Sequence, residues 1–392
     1  MKITDVEVII LDTGKDYADP SEAGESHGVR FVCLLRVATD EGIVGWADVE
    51  TQPHVARAIV EAPSGGQVGF ESIRAALIGE DPLERERLWQ KMYRYLAYYG
   101  RAGAGMHVIS AVDLALWDIA GKAFGKPVWA LLGAKYRDRV KAYASTLFRP
   151  TADDMKRAVA GYVEQGFRAI KFGWGVFGYD LALDVALVKA ARQEAGPDVD
   201  LMVDGGWFGV SHDNPFKPRP IKEWIRLVRH LEELEVLWLE DFLHPENFEG
   251  YAAVAEVSTT LRIAAGEQLA GVRQFSRAAT EGKLDVLQPD LSRCGGLTVG
   301  RQVADLATQL QIECVPHAWL TDLLKAASLH LNAYLMHSLY LEYNVSSSAV
   351  LRELCAGPIE RVDGFVPVPD APGLGVTVDE GVVRRFRVQP SG

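Results

Sequence analysis

Six short apolar runs in the second half of this chain each end in an ionisable side chain. "DLMVD" ends in Asp204, "VLWLE" in Glu240, "LRIAAGE" in Glu267, "LDVLQPD" in Asp290, "IECVPH" in His317 and "LYLE" in Glu342. The steps between them are 36, 27, 23, 27 and 25 residues. A charge at the end of a buried strand carries a desolvation cost unless an opposite charge meets it. One such residue reads as a helix N-cap or a turn starter. Six, one per strand, read as a single site assembled from many strands.

The residue types say what chemistry that site suits. Asp204, Glu240 and Glu267 are three oxygen donors on consecutive runs, a set that fits Mg²⁺. A cation also explains how three acids tolerate one another. Asp290 and His317 follow on neighbouring runs. A carboxylate beside an imidazole fixes its tautomer, raises its basicity and leaves the other ring nitrogen free to move a proton. "RAIKFGWG" places Lys171 on an earlier run, at the same rim. A metal, a lysine and a His–Asp pair suit removal of a proton α to a carboxylate, with Lys171 and a neighbouring acid helping to stabilise the enediolate. Trp174, Trp207 and Trp319 stand near the same rim, either as walls of the substrate pocket or as packing.

The elements that must carry these residues can be read from periodicity. Residues 1–12 and 30–50 read as strands, with Asp40-Glu41-Gly42 as a hairpin turn. Residues 12–28 form a long polar loop, and 70–100 has a helical pattern. In 105–125, Val108, Val112, Leu116 and Ile119 recur at helical steps and Gly125 supplies the stop. Beyond "KYRDRV" apolar segments at 140–146, 168–174, 201–207, 236–242, 262–268, 285–291, 312–319 and 338–345 alternate with helical stretches. Eight strands separated by helices predict parallel βα units closing into a barrel, whose chemistry gathers at the C-terminal strand ends. The expected division is an α+β capping domain over 1–130, a barrel over 131–360, and a strand-like segment over 361–392 returning to the cap.

Composition narrows the class. The 392 residues suit a barrel plus a second lobe, and 48 % hydrophobic with 24 % charged residues is a globular pattern. A net charge of −12 argues against nucleic acid and anionic membrane surfaces as partners. Cys33, Cys294, Cys314 and Cys355 show no paired spacing, so neither a zinc site nor a disulfide framework is expected, and a reducing compartment fits. "MKITDVEVIILDTGKD" reads as a first strand and not as a signal peptide or membrane span. A cytoplasmic enzyme is the expectation.

Taken together, "VDGGW", "LEDF", "GEQL", "QPDLSRCGG", "VPHAW" and "LYLEYNV" resemble the enolase superfamily, in its mandelate racemase-like branch. The resemblance spans nearly the whole chain. It implies a modified (β/α)7β TIM barrel with an N-terminal α+β cap completed by the C-terminal tail. It implies one Mg²⁺ per subunit on Asp204, Glu240 and Glu267, the dyad Asp290–His317, and Glu342 as the acid that hydrogen-bonds the substrate carboxylate. The loop at 12–28, which contains His27 as a further substrate-binding candidate, and the segment near 51–60 would close over the site. A homo-oligomer between dimer and octamer is implied as well. Two departures matter. Many members carry Lys-x-Lys on the second barrel strand, whereas Gly173 stands here in the second position. A histidine used by some sugar-acid dehydratases, two residues after the third-strand aspartate, is replaced by Gly206. Lys171 then either orients the carboxylate or acts as a second base. With His317 as the unambiguous base, the expected activity is dehydration of an aldonate or aldarate to a 2-keto-3-deoxy acid. The alternatives are a racemase, epimerase or cycloisomerase of a sugar acid, or a non-catalytic metal-dependent acid-binding protein.

Overall fold

The computed structural model describes residues 1–14, 30–206, 219–346, 348–357 and 359–388. Three antiparallel strands open the chain: β1 (Ile3–Asp12), β2 (Phe31–Thr39) and β3 (Val44–Asp48). Gly42, at φ 77°, makes the turn between β2 and β3, and Thr39 Oγ1 donates to the Ile43 carbonyl at 2.9 Å. The helix Ala104–Phe124 lies against this sheet and ends at Gly125 in the left-handed conformation, as its sequence predicts. Gly45 lets β3 approach that helix closely, since a Cβ there would sit 2.1 Å from the Ala115 carbonyl oxygen. The helical region at 70–100 resolves into Ile73–Leu77 and Arg85–Tyr95.

Eight parallel strands follow: β4 (Arg139–Leu147), β5 (Ala169–Gly173), β6 (Asp200–Asp204), β7 (Val236–Glu240), β8 (Arg262–Ala265), β9 (Val286–Leu287), β10 (Glu313–Cys314) and β11 (Leu341–Asn344). A helix joins each to the next, seven in all among the described residues. Side-chain caps start several of them: Thr151 accepts from the Asp154 amide at 3.2 Å and Asp180 from the Leu183 amide at 2.8 Å. The strands pair in the order β10-β9-β8-β7-β6-β5-β4-β11, a curled sheet with one seam. Side chains cross that seam where the backbone ladder does not. Glu342 on β11 accepts from the Ala318 amide at 2.7 Å, and Asn344 donates to the Trp319 carbonyl at 2.6 Å.

The barrel interior explains how the site is lifted into place. Tyr143, Ala169, Met202, Trp238, Ala264, Val286, Val315 and Tyr340 form one apolar layer, a residue from each strand or its flank. Large rings fill the space that the alanines leave, with Tyr143, Trp238 and Tyr340 packed edge to face at 5.8–6.2 Å. Side chains on a strand alternate faces, so the residue two positions on points the same way. On seven strands that residue is polar: Ser145, Lys171, Asp204, Glu240, Gln288, His317 and Glu342. The apolar layer is the floor and the polar layer is the site.

Strand limits differ from those the sequence suggests. β9 and β10 are two residues each, and Asp290 and His317 stand three residues beyond them. Glu342 lies inside β11, not at its end, and Lys171 is the middle residue of β5. Lys171 is 3 % exposed, so it does not reach for solvent at the rim. The C-terminal tail touches both lobes. Phe365–Pro367 pairs antiparallel with β4, the Leu374 amide donates to Asp118 Oδ1 at 2.9 Å, and the Val388 amide donates to the Ile10 carbonyl at 2.8 Å. The four cysteines are buried and unpaired. Among the described residues no helix is long and apolar enough to cross a membrane.

Candidate active site

A cavity of about 430 Å³ opens above the polar layer, between the barrel mouth and the cap. Lys171, Asp204, Glu267, His317 and Glu342 line it from the barrel, together with Trp174 and Trp319. Glu240 and Asp290 stand immediately behind as partners of lining residues. Nine of the residues expected from sequence therefore meet around one space. Trp207 and His27, the other two candidates, lie outside the described residues, as does most of the 12–28 loop. Of the segment near 51–60, Thr51 is a wall of the cavity.

The acidic side is dense. One carboxylate oxygen each from Glu240, Asp241 and Glu267 lie within 4.8 Å of one another, close enough to share a cation. All three are buried, and every donor is an oxygen, which suits a hard divalent ion. Asp241 Oδ2 is buried without a hydrogen-bond partner, a position a cation would satisfy. Asp204 is paired in register with Glu240 on the next strand but is not part of that cluster. Its Oδ2 accepts from Trp174 Nε1 at 3.1 Å and its Oδ1 from the Gly206 amide at 2.8 Å. Burial and the Glu240 charge push the Asp204 carboxyl well above its ordinary range. Glu240 is held from below, accepting from Trp238 Nε1 at 2.8 Å.

Lys171 sits between two acids. Its ammonium contacts Glu240 Oε1 and lies 3.1 Å from Glu342 Oε1. Burial works against the ammonium, yet Glu240 and Glu342 hold its pKa well above the ordinary value. Glu342 accepts from Ser145 Oγ at 2.7 Å as well as from Ala318. Burial raises its carboxyl, but Lys171, His317 and these donors bring it down to about 2, so it is ionised at neutral pH.

The dyad has the expected geometry. His317 Nδ1 lies 2.6 Å from Asp290 Oδ2, while Nε2 faces the cavity 3.1 Å from Glu267 Oε2. Asp290 Oδ1 accepts from both the amide and the hydroxyl of Ser292 at 2.6 Å. Burial opposes charge on Asp290, but His317, Arg293 and Ser292 outweigh it and lower its pKa. Burial likewise opposes charge on His317, and Glu342, Glu267 and Asp290 outweigh it, raising the imidazole well above its ordinary value.

Across the cavity stands a different wall. Asp204 is on the third barrel strand and His317 follows the seventh, so they face each other across the ring. Trp174 adopts φ 55°, unusual for a bulky side chain, and its ring covers Gly206. A Cβ on Gly206 would sit 2.8 Å from that ring, and one on Gly173 would sit 2.8 Å from Asp204 Oδ2. Neither position has room for a histidine or a lysine.

Four site residues escaped the sequence reading. Glu50 follows β3 of the cap and reaches into the cavity, where it pairs with Arg293. Arg293 also lies 3.2 Å from Glu267 and 3.9 Å from Asp290. Glu50, Asp290 and His317 come within 4.8 Å of one another as well, but the Arg293 guanidinium already supplies the cation there. His107, at the start of the long cap helix, lines the cavity with its Nδ1 buried and unpartnered. Asp241 stands directly after Glu240, so "LED" was the available signal for it. Arg293 stands three residues after Asp290 in "QPDLSRCGG". Nothing local marks Glu50 or His107.

The chain matches known proteins over nearly its whole length. Residues 5–133 match the mandelate racemase / muconate lactonizing enzyme N-terminal domain, and residues 154–382 match the enolase C-terminal domain-like family. The chain is 32 % identical to a D-galactarolactone cycloisomerase from Agrobacterium fabrum, over 99 % of both proteins. It is 34 % identical to a D-galactonate dehydratase from Variovorax paradoxus, over 88 % of both. A crystal structure of a racemase from Streptomyces coelicolor with bound magnesium superposes with a TM-score of 0.82 at 29 % identity, covering 98 % of this chain and 100 % of that one. A cap and a barrel matched separately, and relatives matched end to end, place this chain in the mandelate racemase / muconate lactonizing enzyme family of the enolase superfamily.

Proposed function

We propose that this chain is a Mg²⁺-dependent dehydratase of sugar acids, producing a 2-keto-3-deoxy acid. The observation that carries the reading is the asymmetry of the cavity. Among the described residues, one face holds the His317–Asp290 dyad and the opposite face is closed by Trp174 over Gly206, with Gly173 packed against Asp204. Inverting a carbon requires a base on each side, whereas β-elimination requires one. With Glu267 engaged by a cation, the imidazole would lose one of the charges that keep it protonated. Neutral His317 Nε2 then takes the α-proton while Asp290 holds the resulting imidazolium through Nδ1. The same imidazolium then returns that proton to the departing 3-hydroxyl.

Asp204, Glu240 and Glu267 would hold the cation, with Asp241 beside them. A bound Mg²⁺ supplies positive charge where negative charge develops on the substrate carboxylate. Lys171, fixed between Glu240 and Glu342, adds a second positive charge to that end. We assign Glu342 to holding Lys171 in place, because it is ionised and its oxygens already accept from Ser145, Ala318 and the ammonium.

A second reading is favoured by the cycloisomerase relative matched over 99 % of both chains. The same proton abstraction with a ring oxygen, in place of a hydroxyl, as the leaving group opens a ring and loses no water. One base serves there too. Both readings are tested by incubating the Mg²⁺-loaded protein with aldonates, aldarates and their lactones in D₂O. A 2-keto-3-deoxy acid is the expected product, and recovered substrate should keep its C2 configuration. Recovered substrate carrying deuterium at C2 with inversion would require a second base facing His317 and would move a racemase or epimerase ahead.

Trp174→Phe probes the closed wall. It keeps the ring over Gly206 and removes the N–H that orients Asp204. Cation affinity is expected to fall about tenfold, the lower end of what loss of a ligand's supporting hydrogen bond costs. Isothermal titration with Mg²⁺ reads it, and an unchanged affinity would mean that Asp204 needs no such support.

A further inference from the structure

We infer that Glu50 restricts this site to sugar monoacids with an uncharged far end, by occupying the cation that a second carboxylate would need. The inference rests on the sugar-acid reading above and adds the substrate class. The reacting carboxylate belongs at the polar layer, beside Lys171 and the buried acids. The rest of a six-carbon acid must then extend toward the cap, where Glu50, Thr51 and His107 stand.

Among the described residues lining the cavity, the permanently cationic side chains are Lys171 and Arg293. Lys171 is held by Glu240 and Glu342. Arg293 is held by Glu50, with Glu267 at 3.2 Å and Asp290 at 3.9 Å. Among the described residues, a carboxylate at the far end of the substrate therefore meets an arginine already paired, with Glu50 beside it. Burial pushes the Glu50 carboxyl up to about 7 against the pull of Arg293, so that the repulsion is complete above that pH. Discrimination of this kind comes from a built-in repulsion as much as from attraction. The remaining groups suit hydroxyls. Thr51 and Gln268 are neutral. Burial pulls His107 down to about 4, so its ring is uncharged at neutral pH, and its Nδ1 is free to take part in a hydrogen bond.

The test compares an aldonate with the aldarate of the same configuration, on the Mg²⁺-loaded wild type and on Glu50→Gln, at a pH about two units above 7, where Glu50 is ionised. Wild type is expected to favour the aldonate at least a hundredfold in kcat/KM. Glu50→Gln keeps the shape, removes the like charge and takes away one of Arg293's three carboxylate partners, and should shrink that preference at least tenfold through a lower KM for the aldarate. Glu50→Asp retains the charge and should retain the preference. Wild type using both acids equally, a preference unchanged in Glu50→Gln, or a preference lost in Glu50→Asp would overturn the inference. Binding of the two acids, read by thermal shift in the presence of Mg²⁺, measures the same ratio when no product forms. Failure of turnover counts against the dehydratase reading, and failure of the ratio counts against Glu50.

Discussion

His317→Asn is expected to lower turnover by at least about a thousandfold, within the range that a positioned proton-transfer group supplies. The substitution is conservative in shape and leaves a polar side chain facing Asp290. Substrate and cation should still bind, because losing the imidazole beside Glu267 leaves the acidic cluster no less negative, and Lys171 keeps Glu240 and Glu342. The loss should therefore fall on kcat and leave the substrate dissociation constant within a few-fold of wild type. Asp290→Asn should be milder, since it removes the charge that orients the imidazole and leaves the base itself in place. The two variants together should cost little more than His317→Asn alone, because residues acting as one unit are not additive. A His317→Asn protein with near-normal turnover would transfer the base role elsewhere. Lys171 is poorly placed to take it, with its ammonium locked between Glu240 and Glu342.

Most of this site was legible because strand geometry repeats. A period of two carries Tyr143 to Ser145, Met202 to Asp204, Trp238 to Glu240 and Tyr340 to Glu342, from an apolar floor to a polar ring. A run of apolar residues ending in a charge is the trace this leaves in sequence, and it needs no knowledge of neighbouring strands. The pattern fails at β8, and at β9 the step of two reaches the uncharged Gln288. Gly266, at φ 137°, turns the chain so that Glu267 takes the inward position, and Asp290 comes four residues after Val286. The spacing of the six runs nonetheless absorbs these shifts, because each run still ends at the mouth. The polar residues that escaped belong to contacts with no local signature. Glu50 meets Arg293 across 243 residues of sequence, and only the seating of the cap on the barrel brings them together. Trp174 was visible as a rim tryptophan, but its left-handed backbone and its hold on Asp204 depend on what Gly206 leaves empty. Lys171 reads as a rim lysine until the neighbouring strands supply Glu240 and Glu342 to bury it against.

Chelation should abolish turnover and loosen the fold at the same point. Asp204, Glu240, Asp241 and Glu267 are all buried, and among the described residues the permanent cations in contact with them are Lys171, through Glu240, and Arg293, through Glu267, two positive charges against four carboxyls. Uncompensated buried carboxylates destabilise a folded chain, so a cation that binds only the folded form must stabilise it. At a free Mg²⁺ concentration about 100 times Kd the linkage amounts to about 2.7 kcal/mol, enough for a melting shift of several degrees. Protein dialysed against EDTA is therefore expected to be inactive and to melt lower, and added Mg²⁺ should restore both. Glu240→Gln should weaken the restoration at least about tenfold in cation concentration, since a neutral amide replaces an anionic oxygen donor. Its effect on the metal-free protein should run the other way. One fewer buried charge crowds the cluster, so the chelated variant should melt no lower than chelated wild type even though Lys171 loses a charged partner to Glu342 alone. Reading both quantities separates a cation site from a merely structural acid. A structural Glu240 would show lower melting with and without Mg²⁺ and an unchanged cation response. Full turnover in chelated wild-type protein would remove the cation from the reaction and, with it, the account of how Lys171 and a neighbouring charge stabilise the carboxylate as the α-proton leaves.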